Sequence, residues 1–147
     1  MKIKYLIIGL ILILLFSVLA ISTAEAKSIN DYNFTIPDDY HIENCSDDYA
    51  LLKSDQYHSI SICVLDSSTD KDLLKYLLEG SMYDFTYEKN YTKGSYDIEE
   101  SHYNQEYQRG ILYICENGDD LVVIDYKVPV IESLDDSPVD VILDGLD

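Results

Sequence analysis

From residue 32 the chain alternates, with Tyr32, Phe34 and Ile36 apolar and Asn33 and Thr35 polar, the period of two that a half-buried strand requires. Pro37-Asp38-Asp39 ends that run. Two more strands are predicted over 49–53 and 59–65, the second with Ile60, Ile62 and Val64 on one face, and the polar turn through Asp55 and Gln56 makes them a hairpin. The period then changes. Leu73, Leu74, Leu77 and Leu78 recur at helical spacing, Thr69 and Asp72 have the capping-box separation, and Gly80 is placed to end the helix. This stripe is expected to be core, so Leu77→Ala is expected to cost about 2–5 kcal/mol.

Beyond Gly80 the chain is rich in tyrosine. Strands are predicted near 83–88 and 96–103, separated by a turn over 90–94. Residues 109–115 are apolar at nearly every position, as in a central strand covered on both faces. Asn117-Gly118 then turns the chain into 121–128, which Pro129 stops. Ser137-Pro138 opens a closing helix over 138–146, with Val139, Ile142, Leu143 and Leu146 on its apolar side. The expected fold is α+β, a mostly antiparallel sheet of five to seven strands packed by one central and one C-terminal helix. No repeat or low-complexity linker divides it.

The start of the chain changes the picture from fold to location. Lys2 and Lys4 precede an apolar run over 6–21 and the small-residue tail Ser22-Thr23-Ala24-Glu25-Ala26, the three zones of a signal peptide. The run is short for a retained membrane anchor, which needs about 20 residues. Residues 1–26 are therefore expected to be a signal peptide and 27–147 a single acidic domain, secreted or held at the outer cell surface. Residues 27–147 carry 8 basic and 27 acidic side chains, a formal charge of −19. Such a surface repels nucleic acid and anionic lipid, so contact with a membrane is expected only through an uncleaved signal segment.

Fourteen tyrosines and no tryptophan point to contact chemistry, because a tyrosine ring buries area while its hydroxyl seeks a partner. Tyr83, Tyr87, Tyr91, Tyr96, Tyr103 and Tyr107 form the candidate contact surface. Asn33, Asn44 and Asn90 each open an N-glycosylation acceptor triplet. Three cysteines in an oxidising compartment suggest one disulfide and one leftover thiol. The hairpin over 49–65 brings Cys45 towards Cys63, a bridge worth roughly 3 kcal/mol in the chain-entropy view, with Cys63 to Cys115 as the rival pairing.

Chemistry is sparse. His41, His58 and His102 stand in polar surroundings, no nucleophile-elbow motif occurs, and no cysteine lies in a nucleophile motif. His41, His58, Cys45 and Cys63 lack the paired spacing of a zinc site, and Asp119-Asp120 and Asp135-Asp136 lack the repeat of a calcium loop. No catalytic residue, metal or cofactor is expected. The reading is a non-enzymatic interaction module, with a protein or cell-envelope partner; the alternative is a small extracytoplasmic hydrolytic or redox enzyme using Cys or His. These differ in whether a pocket gathers a perturbed His or Cys.

The order of Phe34-Thr35-Ile36-Pro37-Asp38, the Thr69-Asp70-Lys71-Asp72 helix start and the hairpin from Gly110-Ile111-Leu112 to Val123-Ile124-Asp125-Tyr126 resembles the small exported proteins of methanogenic archaea that have no assigned function. More distantly it is similar to the PsbP-like sandwich. That resemblance implies an antiparallel sheet packed by helices over most of 30–146, and carries no catalytic residues with it.

Overall fold

The structure, a computed structural model, describes residues 26–29, 32–66 and 68–146. It is a mostly antiparallel α+β fold. Seven strands form one sheet in the order β3-β4-β5-β9-β8-β7-β6, and β1 (Ala26–Ile29) with β2 (Tyr32–Thr35) forms a separate two-stranded hairpin. The sheet strands are β3 (His41–Cys45), β4 (Tyr49–Lys53), β5 (Ser59–Asp66), β6 (Asp84–Lys93), β7 (Tyr96–Asn104), β8 (Gln108–Glu116) and β9 (Asp120–Pro129). Helix α1 (Lys71–Gly80) joins β5 to β6 and α2 (Val139–Asp144) closes the chain. The predicted signal peptide lies outside the described residues except for Ala26, which pairs with Thr35. No described helix is long and apolar enough to cross a membrane.

Side-chain alternation divides the sheet into two cores. Ile60, Ile62, Val64, Ile111, Tyr113, Cys115, Val122, Ile124 and Val128 point to the first face, which the β1–β2 hairpin covers with Ile29 and Phe34, α2 with Val139, Ile142 and Leu143, and the residues after α2 with Leu146. Tyr103, Leu112, Ile114 and Leu121 point to the second face, where Leu74 and Leu78 of α1 pack with Tyr83 and Phe85. Strand β8 is buried on both sides, which explains its unbroken apolar run.

A polar group sits inside the second core. The Tyr83 hydroxyl donates to Asp125 at 2.9 Å, the Tyr103 hydroxyl donates to the same carboxylate, and Lys127 Nζ lies 3.5 Å from it. These partners compensate a carboxylate that has left most of its water. Burial alone would lower Lys127, and Asp125 and Tyr83 together more than reverse it. Across the strand from Tyr103 stands Gly110, where a Cβ would collide with the Tyr126 carbonyl oxygen and the Tyr103 hydroxyl.

Several expectations need correction. Strand β2 is real but leaves the main sheet, and β1 and β3 were not foreseen. The N-cap of α1 is Asp70 rather than Thr69; its side chain accepts from the amides of Asp72 and Leu73 at 2.9 and 3.1 Å. Strand β6 runs on through 90–93, and the turn is the pair Gly94-Ser95, with Gly94 at φ 59°. Of the leucine stripe only Leu74 and Leu78 face the sheet, while Leu73 and Leu77 are exposed. A Leu77→Ala change opens no cavity there, so the 2–5 kcal/mol expectation fails.

Gly80 does not end α1 by its own conformation. The left-handed residue is Met82, at φ 73°, whose amide donates to the Glu79 carbonyl while the Tyr83 amide reaches back to Leu78. Its exposed side chain packs on little, so Met82→Gly removes a left-handed penalty of about 1–2 kcal/mol and adds unfolded-chain entropy. The expected result is a gain of roughly 0.5–1 kcal/mol in urea unfolding, whereas a loss would mean that the Met82 side chain is held by packing.

Candidate functional site

The edge strand β6 is exposed at most positions, and its pleat sends Tyr87, Lys89, Tyr91 and Lys93 to the first face of the sheet. Next to them on β7 stand His102, opposite Tyr87, and Glu100, opposite Lys89. The Tyr87 and His102 rings meet edge to face at 5.0 Å, His102 Nε2 lies 2.9 Å from Glu100, and Lys89 sits 4.7 Å over the Tyr91 ring and 3.5 Å from Glu100. Tyr113 of β8 continues this surface inward, its hydroxyl donating to Ser137 at 3.1 Å. Ser137, Asp135, Asp136 and Asp140 form the opposite wall of a cleft of about 330 Å³. Burial, and then Glu100, pushes the Tyr91 hydroxyl up, so it stays a neutral donor. The cleft offers aromatic faces, lysines and carboxylates together, which suits a polar partner held by rings and hydrogen bonds.

The six predicted contact tyrosines do not share one surface. Tyr91 lines this cleft, and Tyr87 stands beside it with its ring against His102. Tyr96 and Tyr103 are core residues on opposite faces, Tyr83 packs on Tyr103 at 4.4 Å, and Tyr107 is exposed in the turn between β7 and β8. Tyr113, Glu100 and His102 went unnoticed as cleft residues, because they reach it only through strand pairing.

The three histidines have carboxylate partners: His41 with Glu43 at 3.8 Å, His102 with Glu100, and His58 with two. His58 Nδ1 lies 2.9 Å from Asp55 and Nε2 2.7 Å from Glu132, tying the β4–β5 turn to the segment after β9. Glu132, and then Asp55, raises the imidazole above its ordinary 6.5, and His58 lowers Asp55 below 3.8. The raised histidine stabilises fully below about 6.5 and loses that contribution as pH climbs through its raised value; Asp55 contributes above 3.8 and fades as pH falls through its lowered one. The stability advantage over His58→Gln is therefore expected to peak between about pH 4 and 6.5 and to shrink above. Urea midpoints of both proteins across pH 4–9 check this, and a pH-independent difference would contradict it.

The Cys45–Cys63 bridge is not formed; all three cysteines are free. The reason is the pleat. Cys45 pairs with Ala50, which pairs with Ile62, so Cys45 shares the first face, while Cys63 pairs with Tyr49 and Val123 on the second. Cys115 is on the first face, so the rival pairing with Cys63 fails in the same way. Cys45 and Cys115 share a face but stand four strand spacings apart, roughly 19 Å, beyond the reach of a disulfide. Burial pushes the Cys63 thiol up and Cys115 to about 12, which keeps both protonated and poor nucleophiles. Denatured, unreduced protein should titrate three thiols, and the native protein should leave Cys115 unlabelled; fewer than three would mean that the sheet register is wrong.

Among the described residues no group of three His, Cys, Asp or Glu is placed to hold a metal. The acceptor asparagines Asn33, Asn44 and Asn90 are all exposed. Asn33 and Asn44 lie on β2 and β3, and Asn90, expected in a turn, lies on β6 beside a second cleft of about 360 Å³ shared with Lys71, Glu99 and Glu116.

No protein-family profile matches the chain, and no curated protein does. A crystal structure from Bacteroides thetaiotaomicron is similar, with a TM-score of 0.53 at 17% identity over 82% of this chain and 46% of that one. The likeness speaks for the fold alone, and the chain spans just under half of that protein's length.

Proposed function

We propose that the chain is an exported interaction module that recognises a cell-envelope partner through the tyrosine–lysine face of β6 and the cleft beside it. The observation that carries this is the placement of Tyr87, Lys89, Tyr91 and Lys93 in one row on an edge strand, the last three sharing a cleft with Asp135, Asp136 and Asp140. Tyrosines in such a setting supply contact area at small entropic cost, and paired charges fix orientation. The signal-like residues 1–26, the exposed acceptor asparagines and the resemblance to small exported archaeal proteins support export in the same direction. Cys63 and Cys115 are kept protonated, and among the described residues no histidine ring is hydrogen-bonded to a serine or cysteine, so the hydrolytic or redox alternative lacks a nucleophile beside its base. The test is binding to envelope fractions of the native cell by the wild type and by the Tyr87→Ala/Tyr91→Ala double variant. About a tenfold loss in the variant, with unchanged circular dichroism, is expected; undiminished binding would reject this face.

A further inference from the structure

Helix α1 is apolar on the side that faces away from the protein. Leu74 and Leu78 turn inward, whereas Leu73, Tyr76 and Leu77 are 54%, 70% and 57% exposed, and Met82 just beyond is 72% exposed. Leu73, Tyr76, Leu77 and Gly80 stand at i, i+3, i+4 and i+7, one continuous outer stripe. Water gains nothing from such an arrangement, and soluble surfaces rarely gather large apolar side chains without a use.

Two further features say what fits there. Gly80 has no positive φ, and no atom lies within 4 Å of where its Cβ would be, so neither backbone conformation nor packing within the chain accounts for it. A helical glycine costs about 1 kcal/mol relative to alanine, and on an outer stripe it lets another backbone approach closely. The rim of the stripe is acidic. Lys71 is held by Glu116 at 3.2 Å and Lys75 by Glu88 and Glu99, so the nearby lysines are turned towards the sheet. Asp72 and Glu79 flank the stripe and Glu106 lies beside Met82, and none of the three has a basic partner among the described residues. With −18 on the whole chain, a second copy or an anionic membrane would bring like charge to a like-charged rim.

We propose that the outer face of α1 docks an amphipathic helix of a partner protein whose apolar stripe is flanked by lysine or arginine. Leucines of that helix would pack between Leu73, Tyr76 and Leu77, its backbone would pass over Gly80, and its basic flanks would meet Asp72, Glu79 and Glu106. This surface lies on the second face of the sheet and is independent of the cleft beside β6.

The probe is a synthetic helix with leucines at i, i+3, i+4 and i+7 and lysines on both flanks, compared with a twin carrying glutamates instead. Fluorescence anisotropy with the whole protein should show the lysine helix binding at least about tenfold tighter than its twin, and weakening as salt rises. Leu73→Gln/Leu77→Gln and Gly80→Leu should each cost about tenfold in affinity while thermal unfolding stays near that of the wild type, since these side chains are outside the core. Equal binding of both helices, no binding of either, or binding untouched by the variants would overturn the proposal. So would sedimentation showing self-association abolished by the leucine variant, which would assign the face to a second copy, or capture by vesicles rich in anionic lipid.

Discussion

Replacing Gly110 by alanine is expected to cost about 3 kcal/mol or more, a large share of the roughly 5–15 kcal/mol by which an ordinary domain is stable. The site has no spare volume: the added methyl would run into the Tyr126 carbonyl oxygen of β9 and the Tyr103 hydroxyl of β7. The first is backbone in a paired strand, so it cannot move without breaking the β8–β9 ladder. The second is fixed by its bond to Asp125, so turning Tyr103 aside would strip a partner from a buried carboxylate. Urea unfolding of the variant reads the loss directly, and a shift below about 1 kcal/mol would mean that Tyr103 does not lie over Gly110.

The second large effect is in the centre of the other core. Ile124 is fully buried on β9, paired with Ile62 on one side and Tyr113 on the other. Its truncation to alanine removes apolar contact and leaves a cavity between two strands that cannot close, a cost of about 2–5 kcal/mol. Leu77→Ala should change stability by no more than about 0.5 kcal/mol, because its side chain is mostly in water. The contrast between the two midpoints, at unchanged slope, separates a helix that lies lightly on the sheet from one whose leucines are core. Similar losses at both positions would restore the stripe as core.

That contrast also shows where the sequence could be read and where it could not. The alternation in 59–65 and the apolar run in 109–115 mark β5 and β8 because burial on one or both faces leaves a period that any reader can count. The apolar side of the closing helix was legible, since Val139, Ile142, Leu143 and Leu146 are all buried, although the helix itself is shorter than 138–146 and runs Val139–Asp144. Edge strands were not. In 41–45 a bulge between Ile42 and Asn44 breaks the alternation, and in 90–93 the inward positions are Tyr91 and Lys93 rather than two apolar residues, so β3 was missed while β6 was cut short. Helical spacing located the stripe of α1 but not its direction: Leu73, Leu74, Tyr76, Leu77 and Leu78 make an apolar arc wider than the part that meets the sheet, and spacing has no sign for which edge of the arc turns inward. The cysteine pairing failed for a related reason. Distance along a hairpin says that two residues come close, but only the register says on which face each side chain emerges, and one residue of shift reverses it.

The cleft was half legible. Tyrosine enrichment pointed to β6 and β7, and Tyr91 does line the cleft with Tyr87 beside it on His102, but Tyr96 and Tyr103 belong to the cores because alternate residues of a strand part company. The far wall, Asp135, Asp136 and Ser137, is more than thirty positions away in sequence and joins only through the fold.

The role given to the β6 face is tested most directly by contact. A photo-crosslinking residue placed at position 87, and separately at Asp47 in the exposed turn between β3 and β4, is activated with the protein on native envelope fractions. The expected result is a discrete adduct from position 87 and none from position 47, lost when Tyr91 is replaced by alanine. Adducts of equal yield from both positions, or from neither, would contradict recognition through this face.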